Sequence, residues 1–209
     1  MINGQDIKKL ENLSEQFSTW IFKYHSENFT KPLFLIWYRD NDLNKTEKIL
    51  THKNGDFFTT TSLIELKEKL YNERNELIAP DHIHLWLTAI KEIKAVESIN
   101  YNLLSVITDL EKGILEEKTI EGFAEFINLF DDFIHQDKKN NHLQIYIDNG
   151  LIREVWEYYY EFIFWPRFND QEKYDSWDRP KLEVNIPKLV EEFKNVILKF
   201  EESIKITIC

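Results

Sequence analysis

Apolar residues near the start of the chain fall at every third or fourth position. Ile7, Leu10, Leu13, Phe17, Trp20, Ile21 and Tyr24 would share one face of an amphipathic helix from Asp6 to Tyr24. Pro32 breaks that pattern, and PLFLIWYRD brings the bulky and β-branched content of a strand. TEKILTH reads as a second strand, turning at Lys53-Asn54-Gly55-Asp56 before FFTT returns. A short antiparallel sheet is therefore expected over residues 33–60. Ser62 followed by Glu65 makes a capping box for a helix carrying Leu63, Leu66 and Leu70.

From Pro80 onward the pattern is mainly helical. Asp81 is the expected N-cap of a helix that buries Ile83, Trp86, Leu87, Ile90 and Ile93. A helix over 99–115 puts Leu103, Leu104, Ile107, Leu110 and Ile114 on one side, with Asn102, Ser105, Asp109 and Lys112 opposite. The cleanest amphipath runs from Thr119 to Gln136, with Phe123, Phe126, Ile127, Phe130, Phe133 and Ile134 at helical spacing. Opposite them, Glu121, Glu125, Asn128 and Asp132 form one polar stripe, expected to be exposed. LQIYID at 143–148 reads as helix or strand. LIREVWEYYYEFIFW reads as a helix apolar nearly all round, belonging in the interior and ended by Pro166. RFNDQEKYDSWDRP is then a long surface loop, followed by a helix from Pro187 with Leu189, Val190, Phe193, Val196, Ile197 and Phe200 inside. Ile204, Ile206 and Ile208 alternate, as in a short strand.

These elements predict an α+β fold, predominantly helical, with a small antiparallel sheet near the N-terminus. Residues 1–209 are expected as one domain, made of helix 6–24, a sheet at about 33–60 and a helical body over 62–205. Five glycines and five prolines in 209 residues fit long regular elements without a flexible linker. No internal repeat of fixed period is found. Thirty aromatic residues supply bulky core material for a chain able to bury roughly 70 % of its unfolded surface.

Candidate chemistry changes this picture little. Cys209 is the single cysteine, so neither an internal disulfide nor a cysteine-built zinc site is possible. A reducing, cytoplasmic setting is expected, since no secretory leader is read in MINGQDIKKLENLSEQF and no apolar run approaches the roughly 20 residues of a membrane span. His82 and His84 alternate as strand ligands would, yet a helix start sends them apart and no third ligand is evident. Asp131 and His135 are spaced i and i+4, a common surface pairing. Ser62 and Ser105 lack a nucleophile elbow, and no glycine-rich phosphate cradle exists. Neither a metal nor any other cofactor is expected.

Charge carries more. The chain has net charge −11, from 37 acidic and 26 basic residues, which disfavours nucleic acid and anionic membranes as partners. The excess is local: Glu97 to Asp148 holds eleven acidic residues and four basic ones, whereas residues 1–96 hold fourteen and thirteen. Such a region suits the encounter of a basic protein. Phe168, Tyr174 and Trp177 lie among Asp170, Glu172, Asp175 and Asp178, a mixture of anchors and acids found at protein interfaces.

The strands PLFLIWYR and EKILTHKNGDFFTT running into SLIELKEKL, followed by the acidic helices NLLSVITDLEKGI and EFINLFDDFIHQD, resemble the immunity proteins of bacterial polymorphic toxin systems. The resemblance is greatest to those of contact-dependent growth inhibition, and it covers roughly residues 33–70 and 98–137. It implies a cytoplasmic protein that binds and blocks the C-terminal toxin domain of a cognate effector. Many such toxins are nucleases, whose basic clefts match an acidic inhibitor. The expected function is stoichiometric inhibition without catalysis, small-molecule substrate or cofactor, through Glu121, Glu125, Asp131, Asp132, Tyr174 and Trp177. The rivals are a metal-dependent or hydrolytic enzyme, and an interaction module unrelated to toxins.

Overall fold

A computed structural model describes residues 4–40, 45–91, 93 and 99–205. The fold is α+β and mostly helical, with a small four-stranded sheet and a two-stranded one. Within the chain expected as one domain, two compact units form: Met1–Tyr101 together with Glu201–Cys209, and Asn102–Phe200.

In the first unit, α1 (Gly4–Phe17) is shorter than expected. Ser18 takes a left-handed φ of 47°, and the chain continues as β1 (Thr19–His25). Trp20, Ile21 and Tyr24 thus belong to a strand. Their helical spacing misleads because TWIFKYH is bulky or β-branched at nearly every position and the strand buries residues on both of its faces. β1 pairs antiparallel with β2 (Leu33–Arg39), from Thr19 against Tyr38 to Tyr24 against Leu33. β3 (Glu47–Ile49) pairs antiparallel with the other edge of β2, and β6 (Ile99–Asn102) completes the order β3-β2-β1-β6. The sheet therefore exceeds residues 33–60, because two of its four strands lie in segments whose spacing looked helical.

TEKILTH divides at Leu50. Beyond it β4 (Thr51–His52) pairs with β5 (Leu77–Ile78). Gly55, at φ 95°, makes the turn that lets the His52 amide donate to the Asp56 carbonyl at 2.8 Å. The returning strand meets β2 at Phe34 and Thr60. Ser62 caps α2 (Leu63–Glu73) by accepting from the Glu65 amide at 3.4 Å, while its own amide donates to Thr60 Oγ1 at 3.2 Å. α3 (Asp81–Ile90) has Pro80 at its cap, so Asp81 is the first helical residue and not the cap. Its apolar stripe joins Leu10, Ile36, Phe58 and Leu66 in the core.

Tyr24 is fully buried and donates its hydroxyl to Glu201 Oε1 at 2.8 Å. The Asn28 side-chain amide donates to Glu201 Oε2 at 2.6 Å, and the Phe57 amide to the Ser203 carbonyl at 2.8 Å. Burial, followed by the Glu201 charge, raises the Tyr24 phenol well above its ordinary value. Ile204 is buried, while Ile206, Ile208 and Cys209 lie outside the described residues.

In the second unit, α4 (Leu103–Glu111) is capped by Asn102, whose side-chain oxygen accepts from the Ser105 amide at 3.2 Å. Gly113, at φ 73°, closes it, so the helix expected over 99–115 is shortened at both ends. α5 (Glu117–Gln136) buries the expected phenylalanines. Phe123 and Phe126 reach Phe193 of α10 (Ile186–Glu201) at ring separations of 4.4 and 5.7 Å. A 3-10 turn (Lys138–Leu143) leads into α6 (Gln144–Ile147), which makes LQIYID helical.

α7 (Gly150–Tyr159) runs through a π-helical turn (Tyr160–Phe164) into α8 (Trp165–Asn169). Pro166 does not end the helix, because it occupies the first turn of α8, where its missing N–H is tolerated. Nor is this helix interior on all sides: only Ile152, Val155, Tyr159 and Ile163 are buried. The expected long loop contains the end of α8 and all of α9 (Gln171–Ser176), the latter capped by Asp170 accepting from the Lys173 amide at 3.0 Å.

Two stability predictions follow from this packing. A Cβ placed on Gly122 of α5 would meet Val106 Cγ2 of α4 at 2.9 Å. Gly122→Ala should therefore cost about 1–3 kcal/mol by overpacking, against a helix-propensity gain of about 1 kcal/mol. Combining it with Val106→Ala should recover about 1 kcal/mol relative to the sum of the single changes, as a double-mutant cycle in denaturant would read. The second concerns His82, whose buried Nε2 has no hydrogen-bond partner and whose ring meets Tyr38 at 5.8 Å. Burial holds its pKa below the ordinary value, against a smaller opposing effect of Asp40, and His25 is lowered by burial and by Lys23. Protons are therefore taken up on unfolding, and stability should fall as pH drops below about 6.5. His82→Phe should flatten that slope in chemical denaturation from pH 7 to 5.

Candidate binding surface

The second unit's site is organised by the inward stripe of α7. Residues 152, 155, 159 and 163 point into the core. The π turn, with its wider i→i+5 bonding, inserts the extra residue that keeps the stripe in phase. Arg167 extends it and reaches α5, donating to Glu117 Oε1 at 2.8 Å and to Glu121 Oε1 at 2.6 Å. Glu117 and Glu121 stand one helical turn apart, so one guanidinium spans both.

From the other side, Tyr174 donates its hydroxyl to Glu117 Oε2 at 2.5 Å and Arg179 donates to the same oxygen at 3.0 Å. Arg179 also bonds the Tyr174 hydroxyl and lies over its ring, 4.4 Å from the centroid. Tyr159 donates to Glu121 Oε1 at 3.4 Å. Burial works to raise the Glu117 carboxyl. The hydrogen bonds from Tyr174 and Arg179, with the charges of Arg179 and Arg167, outweigh it and hold the group below its ordinary value. The Tyr174 phenol is pushed up to about 12 by burial and by its bond to Glu117.

The six residues expected to meet a partner therefore differ in their surroundings. Glu121 is half-buried and bound to Arg167, so the polar stripe of α5 is not wholly exposed: Asn128 on the same stripe accepts from Trp156 Nε1 and donates to the Tyr160 hydroxyl, each at 2.8 Å. Glu125 is exposed, and its carboxyl is raised by desolvation and by Glu121, with Arg167 opposing. Asp131 pairs with His135 at 3.3 Å. Burial and the Asp148 charge raise its carboxyl, against the lowering effect of His135. Asp132 is half-buried on α5. Tyr174 is buried in the ion network, so the loop's aromatic residues do not act as one exposed group. Trp177 is 40 % exposed and lines a cavity of about 460 Å³ with Tyr158, Ile163, Arg179 and Lys181.

Sequence reasoning missed the outward face of α7–α8. Trp156, Tyr160, Phe164 and Phe168, each four residues from the last, form a ring ladder with centroid spacings of 4.6, 5.3 and 6.1 Å. The spacing of four was the available signal, obscured by reading the segment as interior. The ladder's neighbours along the helix line a groove of about 500 Å³, in which Glu154, Glu157, Glu161 and Glu183 outnumber Arg153 and Lys181, together with Tyr158 and Phe162.

Elsewhere His82 is buried and His84 half-buried on α3. Among the described residues no group of three or more His, Cys, Asp or Glu is placed to hold a metal, and no helix is long and apolar enough to cross a membrane.

No family model and no curated protein matches the sequence. In fold, the chain is similar to the crystal structure of the SatS C-terminal domain in complex with bromine, with a TM-score of 0.59 over 92 % of this chain and 95 % of that one. Identity is 11 %, so the likeness concerns fold alone.

Tyr174→Phe removes one donor from Glu117 and should move that carboxyl's titration upward, as followed by its ¹³C shift. Because the Glu117 pKa is depressed in the folded chain, its stabilisation is present above the ordinary carboxylate value and is lost as pH falls through the lowered one. Glu117→Gln should flatten the acid limb of the stability profile.

Proposed function

We propose that this chain is an immunity protein, a stoichiometric inhibitor that recognises a basic toxin domain by charge and covers its active-site cleft. The observation that carries the reading is the charge of the second unit. Residues 102–200 hold twenty acidic and twelve basic residues, net −8 of the chain's −11. Two of those carboxyls, on Glu125 and Asp131, are held above their ordinary values by partial desolvation and by like-charged neighbours. A cation brought beside them relieves that repulsion, so binding is favoured by the same interaction that raises them.

The mechanism is occlusion and needs no bond to be made or broken. The resemblance to immunity proteins of contact-dependent growth inhibition supplies the partner class, a nuclease-type toxin domain acting in the cytoplasm. Opposite charge speeds the encounter, and closely packed contacts then set the lifetime of the complex.

Co-expression with the toxin encoded by the upstream neighbouring gene should restore growth at one-to-one stoichiometry. Protection at strongly substoichiometric amounts would show chemistry instead of occlusion. Association should slow as salt rises, since charge is screened over about 8 Å at physiological ionic strength. Glu125→Lys with Asp131→Lys should fold normally and associate roughly tenfold more slowly at low salt. Glu121 is left out of this variant because a lysine there would face Arg167.

A further inference from the structure

We propose that the outward face of α7–α8 is an arginine-binding surface, on which a basic segment of the partner seats its guanidinium groups between the aromatic ladder and the neighbouring carboxylates. This rests on the reading that the partner is basic, and it adds where and by what side chain it is held.

Large rings are presented to solvent here. Trp165 is 51 % and Phe168 73 % exposed, and they pack against each other at 6.0 Å. Their supports are fixed: the Asn128 side chain, bonded to Trp156 and Tyr160, pins the inner end of the ladder, and Phe164 stacks on Phe168 at 8°. A surface ordered before contact loses little freedom on binding.

Charge selects the occupant. Glu157, Glu161 and Trp165 follow one another at intervals of four, alongside the ladder. Arg153 holds Glu157 at 2.7 Å, and Lys181 is the groove's other cation, so Glu154, Glu161 and Glu183 leave it net acidic. An apolar partner would strip water from these carboxylates without replacing it, and an anionic one would be repelled. A lysine can sit over a ring as well, but it lacks the planar fork that stacks on the ring and reaches a carboxylate together. A guanidinium stacks on a ring face while its fork of donors reaches a carboxylate, which uses both kinds of group at once.

The unit already holds one arginine in this manner. Arg179 lies over the Tyr174 ring while bonding Glu117. The outward face offers the same two ingredients, ring and carboxylate, to an arginine from outside.

The test uses the full chain and two fluorescein-labelled peptides of equal charge, nona-arginine and nona-lysine, followed by anisotropy. The wild type should bind nona-arginine at least about fivefold more tightly than nona-lysine. W165S with F168S leaves net charge unchanged and should erase that preference, while E161K with E183K should weaken both peptides. E11K with E15K on α1, two exposed positions of the first unit, makes the same charge change and should leave the arginine preference intact. The proposal is overturned if W165S with F168S keeps the preference, or if the α1 variant loses as much affinity as E161K with E183K. Wild-type protection against toxin without any arginine preference would remove this surface and leave the inhibitor reading standing. An arginine preference without protection would do the reverse.

Discussion

The pairing of Arg167 and Arg179 with Glu117 and Glu121 is the constraint on which the second unit's surface depends. These charges are only partly buried, with side chains about 30 % exposed, so they form a screened network and not a dry core. Their value is positional. Arg167 ties α8 to α5, and Tyr174 with Arg179 ties α9 and the segment after it to Glu117. The inner end of the ladder meets the same helix, through Asn128 of α5.

That division of labour separates two kinds of acidic residue. Glu117 and Glu121 are spent on internal order, each bonded to a guanidinium. Glu125 and Asp131 are destabilised as carboxylates by their surroundings. A positive charge brought beside crowded carboxylates relieves their repulsion.

The parts of the fold legible from the sequence were those with one polar and one apolar face. α5 is the clearest case, since its phenylalanines recur at helical spacing and all fall in the core. β1 was not legible because its apolar residues form a nearly unbroken run, and a strand buried on both sides has no period to read. α7–α8 failed for a related reason: a helix rich in rings looks interior whether the rings are covered or not. The ion network was hidden by distance along the chain, with partners 46 to 62 residues apart. Nothing local to Glu121 says that Arg167 will neutralise it, so an exposed acidic stripe was the natural expectation.

The first unit is built from both ends of the described chain. Tyr24 and Asn28 find their carboxylate at Glu201, and Phe57 its carbonyl at Ser203, with the whole second unit lying between them in sequence. During synthesis, residues 102–200 have every partner of their own unit by the time Phe200 has emerged. The earlier sheet, by contrast, keeps a buried tyrosine hydroxyl without its acceptor, which lies 177 residues further along. Of the two units, the one whose chain emerges earlier is thus the one completed later.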